Sequence, residues 1–378
     1  MSTILRAGLV GCGSLSQRGI LPHLNEPDAR ERIHLAAVVD VVEERARLTA
    51  LRYGVPAWFT DIDAMLAATD PDMVLVITPI AQHFEQAMKA IAAGKHVYVQ
   101  KAMTVTLDEA DALLAARDRA GVKLAAAPGY ELFPATAQMR EIVAGGALGA
   151  VGVAYTYTMG FGHEHEPIRA GEGALAAIDP GWYYRPGAGP LPDVSVYALQ
   201  LATSVLGPVC RVTALANRLM PLRAWRDRQI PLEIEDNNLV LLEFACGTLA
   251  TVIGADVRGG SRAPWGALDL YGTHGVLEVT DVDPASGYPL QFSVRGREHR
   301  DVSLTLAHQP YLRHEHLVIE EPHVYADIMD LADAIVADRP PRASGEQARH
   351  VVEIIEAARV AARTGQTQEL RSTFVPGA

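Results

Sequence analysis

The stretch Gly8-Leu9-Val10-Gly11-Cys12-Gly13-Ser14-Leu15-Ser16 decides how the rest of the chain is read. It closes a short apolar run, 4–10, and opens a helix-like pattern. A glycine at 11 permits a tight turn, and one at 13 lets backbone approach a pyrophosphate. The N–H groups of Ser14 and Leu15, at the helix start, would face that anion together with the helix dipole. Ser16 stands where the third glycine of a dinucleotide fingerprint falls, so the context has to carry the motif.

That context is favourable. A second apolar run, 33–39, ends at Asp40. A carboxylate there can accept hydrogen bonds from ribose hydroxyls and would repel a 2′-phosphate, which favours NAD over NADP. Arg45, one turn on, softens that preference; the plainer role for Asp40 is to cap the next helix. Further apolar runs at 73–77, 96–99 and 122–126 lack strict alternation, as strands buried on both faces do. Helical patterns at 42–53, 82–93 and 107–120 lie between them and stop at Gly54, Gly94 and Gly121. Thr106 with Glu109 has the form of a capping box. Repeated βαβ units predict a doubly wound parallel sheet with right-handed crossovers. Thr78-Pro79 ends the 73–77 run, and such sheets bind ligands at the carboxyl ends of their strands.

The pattern changes after Pro128. A helix is predicted over 134–144 and an alternating strand over 151–158. A Gly-, Pro-, His- and aromatic-rich stretch, 160–192, is too long for a simple connection, and such loops are usually functional. A helix over 193–206 follows. Alternating runs at 211–217, 238–244, 248–255, 267–271, 276–279 and 291–294 predict a mostly antiparallel sheet with one buried face. Two helices, 322–337 and 345–364, close the chain. The expected class is therefore α/β. A Rossmann domain over 1–128 precedes an α/β domain over 129–378 with a large open sheet for substrate binding and oligomerisation; the last helix is free to pack back on the first domain.

Composition agrees. The chain has 378 residues, 49% hydrophobic, and at roughly 100–200 residues per domain this suggests two domains. Its formal net charge of −12 argues against nucleic acid, which needs a basic footprint, and against anionic membranes. The three cysteines, Cys12, Cys210 and Cys246, form neither a disulfide framework nor a metal motif. With no signal-like apolar segment before the first glycines and no run long enough to span a bilayer, a cytoplasmic location is expected.

The run Gly94-Lys95-His96-Val97-Tyr98-Val99-Gln100-Lys101-Ala102-Met103 resembles the G-K-H-V-…-E-K-P signature of the glucose–fructose oxidoreductase/inositol dehydrogenase (Gfo/Idh/MocA) family. The resemblance extends through Gly11-Cys12-Gly13, Thr78-Pro79 with His83, Gly146-Ala147-Leu148-Gly149, Gly272-Thr273-His274-Gly275 and Pro340-Pro341-Arg342-Ala343-Ser344-Gly345-Glu346. It implies NAD(P)-linked oxidation or reduction at a hydroxyl-bearing carbon of a sugar or cyclitol, in a homodimer or homotetramer. Lys101 matches the family lysine beside the nicotinamide and the reacting oxygen. His83 and Gln100 fall among the cofactor-binding positions. Gln100 stands for the family Glu, which removes a charge that would hold Lys101 protonated. Ala102 stands for the Pro, which restores an N–H and frees φ.

The second half of the site is Gly187-Ala188-Gly189-Pro190-Leu191-Pro192-Asp193-Val194-Ser195-Val196-Tyr197, which resembles the family pattern G-G-x-x-x-D-x-G-x-H. Asp193 matches the acid, and Tyr197 stands where the acid/base histidine would be. On one helix the two would be i and i+4 and share a face. A phenol can replace the imidazole if a neighbouring ammonium, here Lys101, lowers its pKa.

Tyr184 and Arg185 could stack on a sugar and clamp an anionic group, and His165 could contact a polyol or carboxylate. His163-Glu164-His165-Glu166 and His314-Glu315-His316 would present paired rings if extended, but their spacing fits no standard zinc motif, so no metal is expected. Two other readings stay open. One is a redox-neutral enzyme with transient oxidation by NAD, leading to elimination, hydrolysis or epimerisation. The other is a ligand-sensing relative that has lost chemistry.

Overall fold

The computed structural model describes residues 4–257, 265–283, 288–296 and 299–377. The chain divides into two compact units. The first comprises Met1–Pro128, His163–Trp182 and Tyr311–Gly345; the second comprises Gly129–Gly162, Tyr183–Pro310 and Glu346–Ala378.

In the first unit, six strands form one parallel sheet: β1 (Leu5–Val10), β2 (Ile33–Val39), β3 (Ala57–Phe59), β4 (Met73–Val76), β5 (His96–Val99) and β6 (Leu124–Ala126). Their order is β3-β2-β1-β4-β5-β6, so the direction of winding reverses between β1 and β4. The doubly wound sheet expected from the apolar runs is present. Every residue of β4 is fully buried, as a strand covered by helices on both faces must be. The helix Leu107–Ala120 carries the expected capping box at Thr106 and Glu109 and ends at Gly121 in the left-handed region. Strand β3 and the helix Ile62–Thr69 have no counterpart among the runs predicted from the sequence. A three-residue edge strand has no readable period, and the only local signal is Asp61, whose side chain accepts the Ala64 N–H.

Two later segments belong to this unit. One is 163–182. The other carries the helix Pro322–Val336; from Glu346 onward the last helix, Gly345–Thr364, belongs to the second unit. The helix Pro322–Val336 thus belongs with the first unit.

Among the described residues, the second unit is built on nine strands: β7 (Val151–Gly160), β8 (Val209–Asn217), β11 (Asn237–Phe244), β12 (Leu249–Asp256), β13 (Leu268–Gly272), β14 (Val276–Val282), β15 (Pro289–Arg295), β16 (His299–Ser303) and β17 (Gln368–Glu369). A separate hairpin pairs β9 (Leu222–Trp225) with β10 (Arg228–Pro231). The large sheet runs β16-β15-β14-β13-β7-β12-β11-β8-β17. Among the described residues only β7 and β12 pair in parallel, so the sheet is mostly antiparallel as the alternation predicts. Along β11, Val240, Leu242 and Phe244 are buried while Leu239 and Leu241 are exposed. Val153, Leu215, Leu249 and Tyr271 are exposed on neighbouring strands. The helix Ser195–Leu206 is buried along its whole length.

Among the described residues, no helix is long and apolar enough to cross a membrane.

Burial also sets an acid limit in this unit. His350 is fully buried; its Nε2 accepts the Val209 N–H at 2.9 Å and its Nδ1 meets Ser372 Oγ at 2.8 Å. Desolvation, against the opposing pull of Glu353, lowers its pKa from 6.5 to about 4. The unfolded chain therefore binds the proton first. The stabilisation is complete above about pH 6.5 and is lost as pH falls towards 4, on the order of 3 kcal/mol in all. We expect Tm to fall over that window and His350→Gln to flatten the fall; an identical pH slope in the variant would remove His350 as its cause.

Candidate functional site

The site begins at the carboxyl ends of the parallel strands in the first unit. Gly11 has φ +101°, and a Cβ built there would lie 2.5 Å from the Ile77 carbonyl oxygen. Only glycine fits so close to the end of β4. A Cβ at Gly13 would meet nothing within 4 Å, so the space beside that backbone is open. The helical run that follows, 14–25, contains a π turn over Ser16–Ile20, and the Ser16 hydroxyl turns back to donate to the Gly11 carbonyl. A turn only glycine can make, an open flank at 13 and a helix N-terminus at Ser14 and Leu15 fit a dinucleotide pyrophosphate.

Asp40, at the end of β2, is nearly buried. One carboxylate oxygen accepts the Cys12 N–H at 2.9 Å. The other accepts the Val42 N–H at 2.9 Å and Arg45 Nη1 at 3.1 Å. Its carboxylate thus fastens the glycine loop to the turn after β2, and Arg45 is already partnered.

Thr78 and Pro79 follow β4. His83, fully buried, bridges the Thr78 carbonyl at 2.8 Å and the Ala102 carbonyl at 2.8 Å. It ties the ends of β4 and β5 together. Gln100 is buried after β5; its amide donates to Tyr98 Oη at 3.0 Å and its carbonyl accepts the Lys101 N–H at 3.0 Å. Tyr98 Oη in turn lies 3.4 Å from Asp327 Oδ2. An ionised Glu at 100 would have no hydrogen to give that phenol oxygen and could only accept from it, so Gln sets the direction of this contact. Lys101 is half-buried, and the Lys101–Ala102 peptide bond is cis. Glu321, buried at the start of the helix Pro322–Val336, pairs with Arg18 and lies 3.4 Å from His323. Burial pushes its carboxyl up, but the charges of Arg18, His323 and Lys101 outweigh this and hold it below its usual range. Glu321 and Arg18 were missed in the sequence because they are about three hundred positions apart in the chain, with no local motif.

The His-Glu-His tracts differ from the extended form considered above. His163–His165 and His314–Leu317 are both 3-10 turns, which separate the rings that an extended strand would align. His165 is exposed and sits 3.5 Å from Glu164. His316 is buried between His23, at 2.8 Å, and Asp28, at 3.0 Å. Among the described residues, no group of three His, Cys, Asp or Glu side chains could hold a metal ion.

In the second unit, Asp193 and Tyr197 are both buried but do not share one helix. Asp193 ends the short helix Pro190–Asp193, and Tyr197 belongs to Ser195–Leu206. Val194 (φ −109°, ψ −49°) separates them, and the Tyr197 N–H reaches the Val194 carbonyl rather than that of Asp193. The i, i+4 pairing expected above is therefore replaced by two helices meeting at Val194. The Tyr197 ring packs 5.3 Å from that of Trp265. Tyr184 is fully buried, with the Arg223 guanidinium 5.7 Å over its ring, so it is a packing element here and not an open sugar platform. Arg185 is exposed. Tyr183 donates to Asp256 Oδ2 at 2.6 Å. Burial, then Asp256 and Asp193, push its phenol well above its ordinary range. Asp256 and Arg223 are further buried polar residues of this region that no sequence motif flagged; each ends or lines a strand whose neighbours are distant in the chain.

The family model for an oxidoreductase family with an NAD-binding Rossmann fold matches residues 5–127, and the model for the GFO/IDH/MocA C-terminal domain matches residues 136–278. The chain belongs to the Gfo/Idh/MocA family. Its first unit thus carries an NAD-binding Rossmann domain. D-glucoside 3-dehydrogenase of Escherichia coli (strain K12) is 29% identical over 211 residues, 54% of this chain and 55% of that protein. The chain spans about half the length of the first curated relatives it matches. D-apiose dehydrogenase of Paraburkholderia graminis is 25% identical across 97% of this chain and 90% of its own. The structure of levoglucosan dehydrogenase in complex with NADH superposes with a TM-score of 0.80 at 20% identity, covering 98% of this chain and 100% of that one, which shows a shared fold.

Proposed function

We propose that this Gfo/Idh/MocA member is an NAD-dependent oxidoreductase acting on a CH–OH or C=O carbon of a sugar, sugar derivative or cyclitol. The observation that carries the reading is the row at one edge of one sheet. Gly11, Asp40, Thr78 and Lys101 all follow the carboxyl ends of parallel strands that flank the reversal between β1 and β4. Relatives named as D-glucoside 3-dehydrogenase and D-apiose dehydrogenase support the carbohydrate class.

When bound, NAD supplies the hydride acceptor. Gly11, Gly13, Ser14 and Leu15 would take its pyrophosphate, and Asp40 the adenosine ribose. Tyr197 takes the proton of the substrate hydroxyl on oxidation and returns it on reduction. Lys101 steadies the oxygen as its charge changes and favours the phenolate of Tyr197. Asp193 completes the polar set. His165 and Arg185 remain the exposed side chains best suited to bind substrate from the loop. The apolar row Val153, Leu215, Leu239, Leu241, Leu249 and Tyr271 on the large sheet supports assembly as a homo-oligomer.

Preference for NAD over NADP rests on Asp40. Its carboxylate repels a 2′-phosphate and holds Arg45 away from one. Asp40→Ala should shift the ratio of NADP to NAD affinity by on the order of tenfold towards NADP. The ratio is the quantity to measure, since the variant also strips partners from the Cys12 and Val42 N–H groups. An unchanged ratio would remove Asp40 from cofactor selection.

A further inference from the structure

Segment 163–182 leaves the second unit after β7 and belongs with the first unit. It touches both ends of the nucleotide cradle. At the glycine loop, Ser14 Oγ donates to Glu166 Oε2 at 2.7 Å. At the other end, Arg45 Nε donates to the Ala174 carbonyl at 2.9 Å while its Nη1 holds Asp40. The segment is braced from within by Arg169, which is fully buried. Its Nε donates to Glu166 Oε2 at 2.7 Å and its Nη1 to the Ile178 carbonyl at 2.5 Å. His163 Nδ1 lies 3.0 Å from Glu166 Oε1.

Glu166 is thus a carboxylate held by Arg169 and His163 against the first helical residue after Gly-x-Gly, where helix N–H groups and dipole favour an anion. Burial pushes its carboxyl up, but His163, Arg169 and Arg18 hold it well below the usual range, so it stays ionised at neutral pH.

We propose that segment 163–182 is a strap of the dinucleotide site, in which Glu166 stands in for the cofactor phosphate and is exchanged for it on binding. The proposal rests on the NAD reading above. A carboxylate and a pyrophosphate cannot both lie against Ser14 without like-charge repulsion, so the strap shifts as phosphate enters. The same strap holds Arg45 through Ala174, which couples the phosphate end of the cradle to the ribose end.

The test is binding of NADH, ADP-ribose and adenosine to the full chain, comparing wild type with Glu166→Gln. The amide keeps an acceptor for the Ser14 hydroxyl and removes the competing charge. Expected is about tenfold tighter binding of NADH and ADP-ribose, with adenosine unchanged, because only phosphate competes with Glu166. Glu166→Asp keeps a charge for Arg169 but withdraws it by one methylene, and should move the same ligands in the same direction by a smaller factor. If the wild type binds ADP-ribose and neither variant binds it more tightly, or if adenosine changes in step, the strap proposal is overturned while the cofactor reading stands. A wild type that binds none of the three overturns both.

Discussion

Replacing Tyr197 with Phe lowers kcat by about 10²–10⁴-fold and leaves NADH affinity within about twofold of wild type. Lys101→Met does the same through a different loss. The Phe variant keeps the ring that packs on Trp265 in the buried helix Ser195–Leu206 and removes the hydroxyl that would accept the proton. The Met variant keeps most of the side-chain length but removes the ammonium that would favour phenolate and balance charge on the reacting oxygen. Glu321 makes the lysine test informative. Its carboxylate already feels the Lys101 charge, and Arg18 and His323 remain to neutralise it when the lysine is gone. The measurements are steady-state kinetics beside an NADH fluorescence titration. Either variant with near wild-type kcat would strip that residue of its assigned role.

The second large effect is on folding at the glycine loop. Gly11→Ala should destabilise the chain by more than about 3 kcal/mol, because it adds a strained backbone conformation to a contact that cannot relax. The new methyl would stand 2.5 Å from the Ile77 carbonyl oxygen, a main-chain atom fixed by β4. Gly13→Ala is the control. Its methyl meets no atom within 4 Å, so Tm should hold while NADH affinity falls, the methyl now standing where phosphate must approach. Thermal melts with NADH titrations separate the two. Equal Tm values for both variants would mean that the turn at 11 does not depend on glycine.

These contrasts also show which parts of the molecule were legible in its sequence. Features written locally were readable: the apolar runs that became β1, β2, β4 and β5, the capping box at Thr106, and the alternation along β11. Hydrophobic period and turn chemistry act over a few residues, so a few residues reveal them. The helix break at Val194 was not readable, because a run that is buried on every side shows no period to interrupt. Nor was the allegiance of segment 163–182. Its tie to the cradle joins Ser14 to Glu166, 152 positions apart, and no local pattern encodes such a pairing. Tyr183 with Asp256 and Arg18 with Glu321 escaped for the same reason. Gln100 stands out in the sequence as a departure from a motif, but its hydrogen bond to the Tyr98 phenol is visible only in the folded chain.

The most direct test of the account is absorbance near 340 nm for the wild-type chain with NAD and a panel of glycosides, pentoses, sugar acids and cyclitols. The account predicts that at least one of them generates NADH in step with conversion of a CH–OH group to C=O, and that Tyr197→Phe abolishes the signal. Substrate conversion with no net NADH, or no conversion and no isotope exchange from labelled NADH into any of the panel, would contradict it.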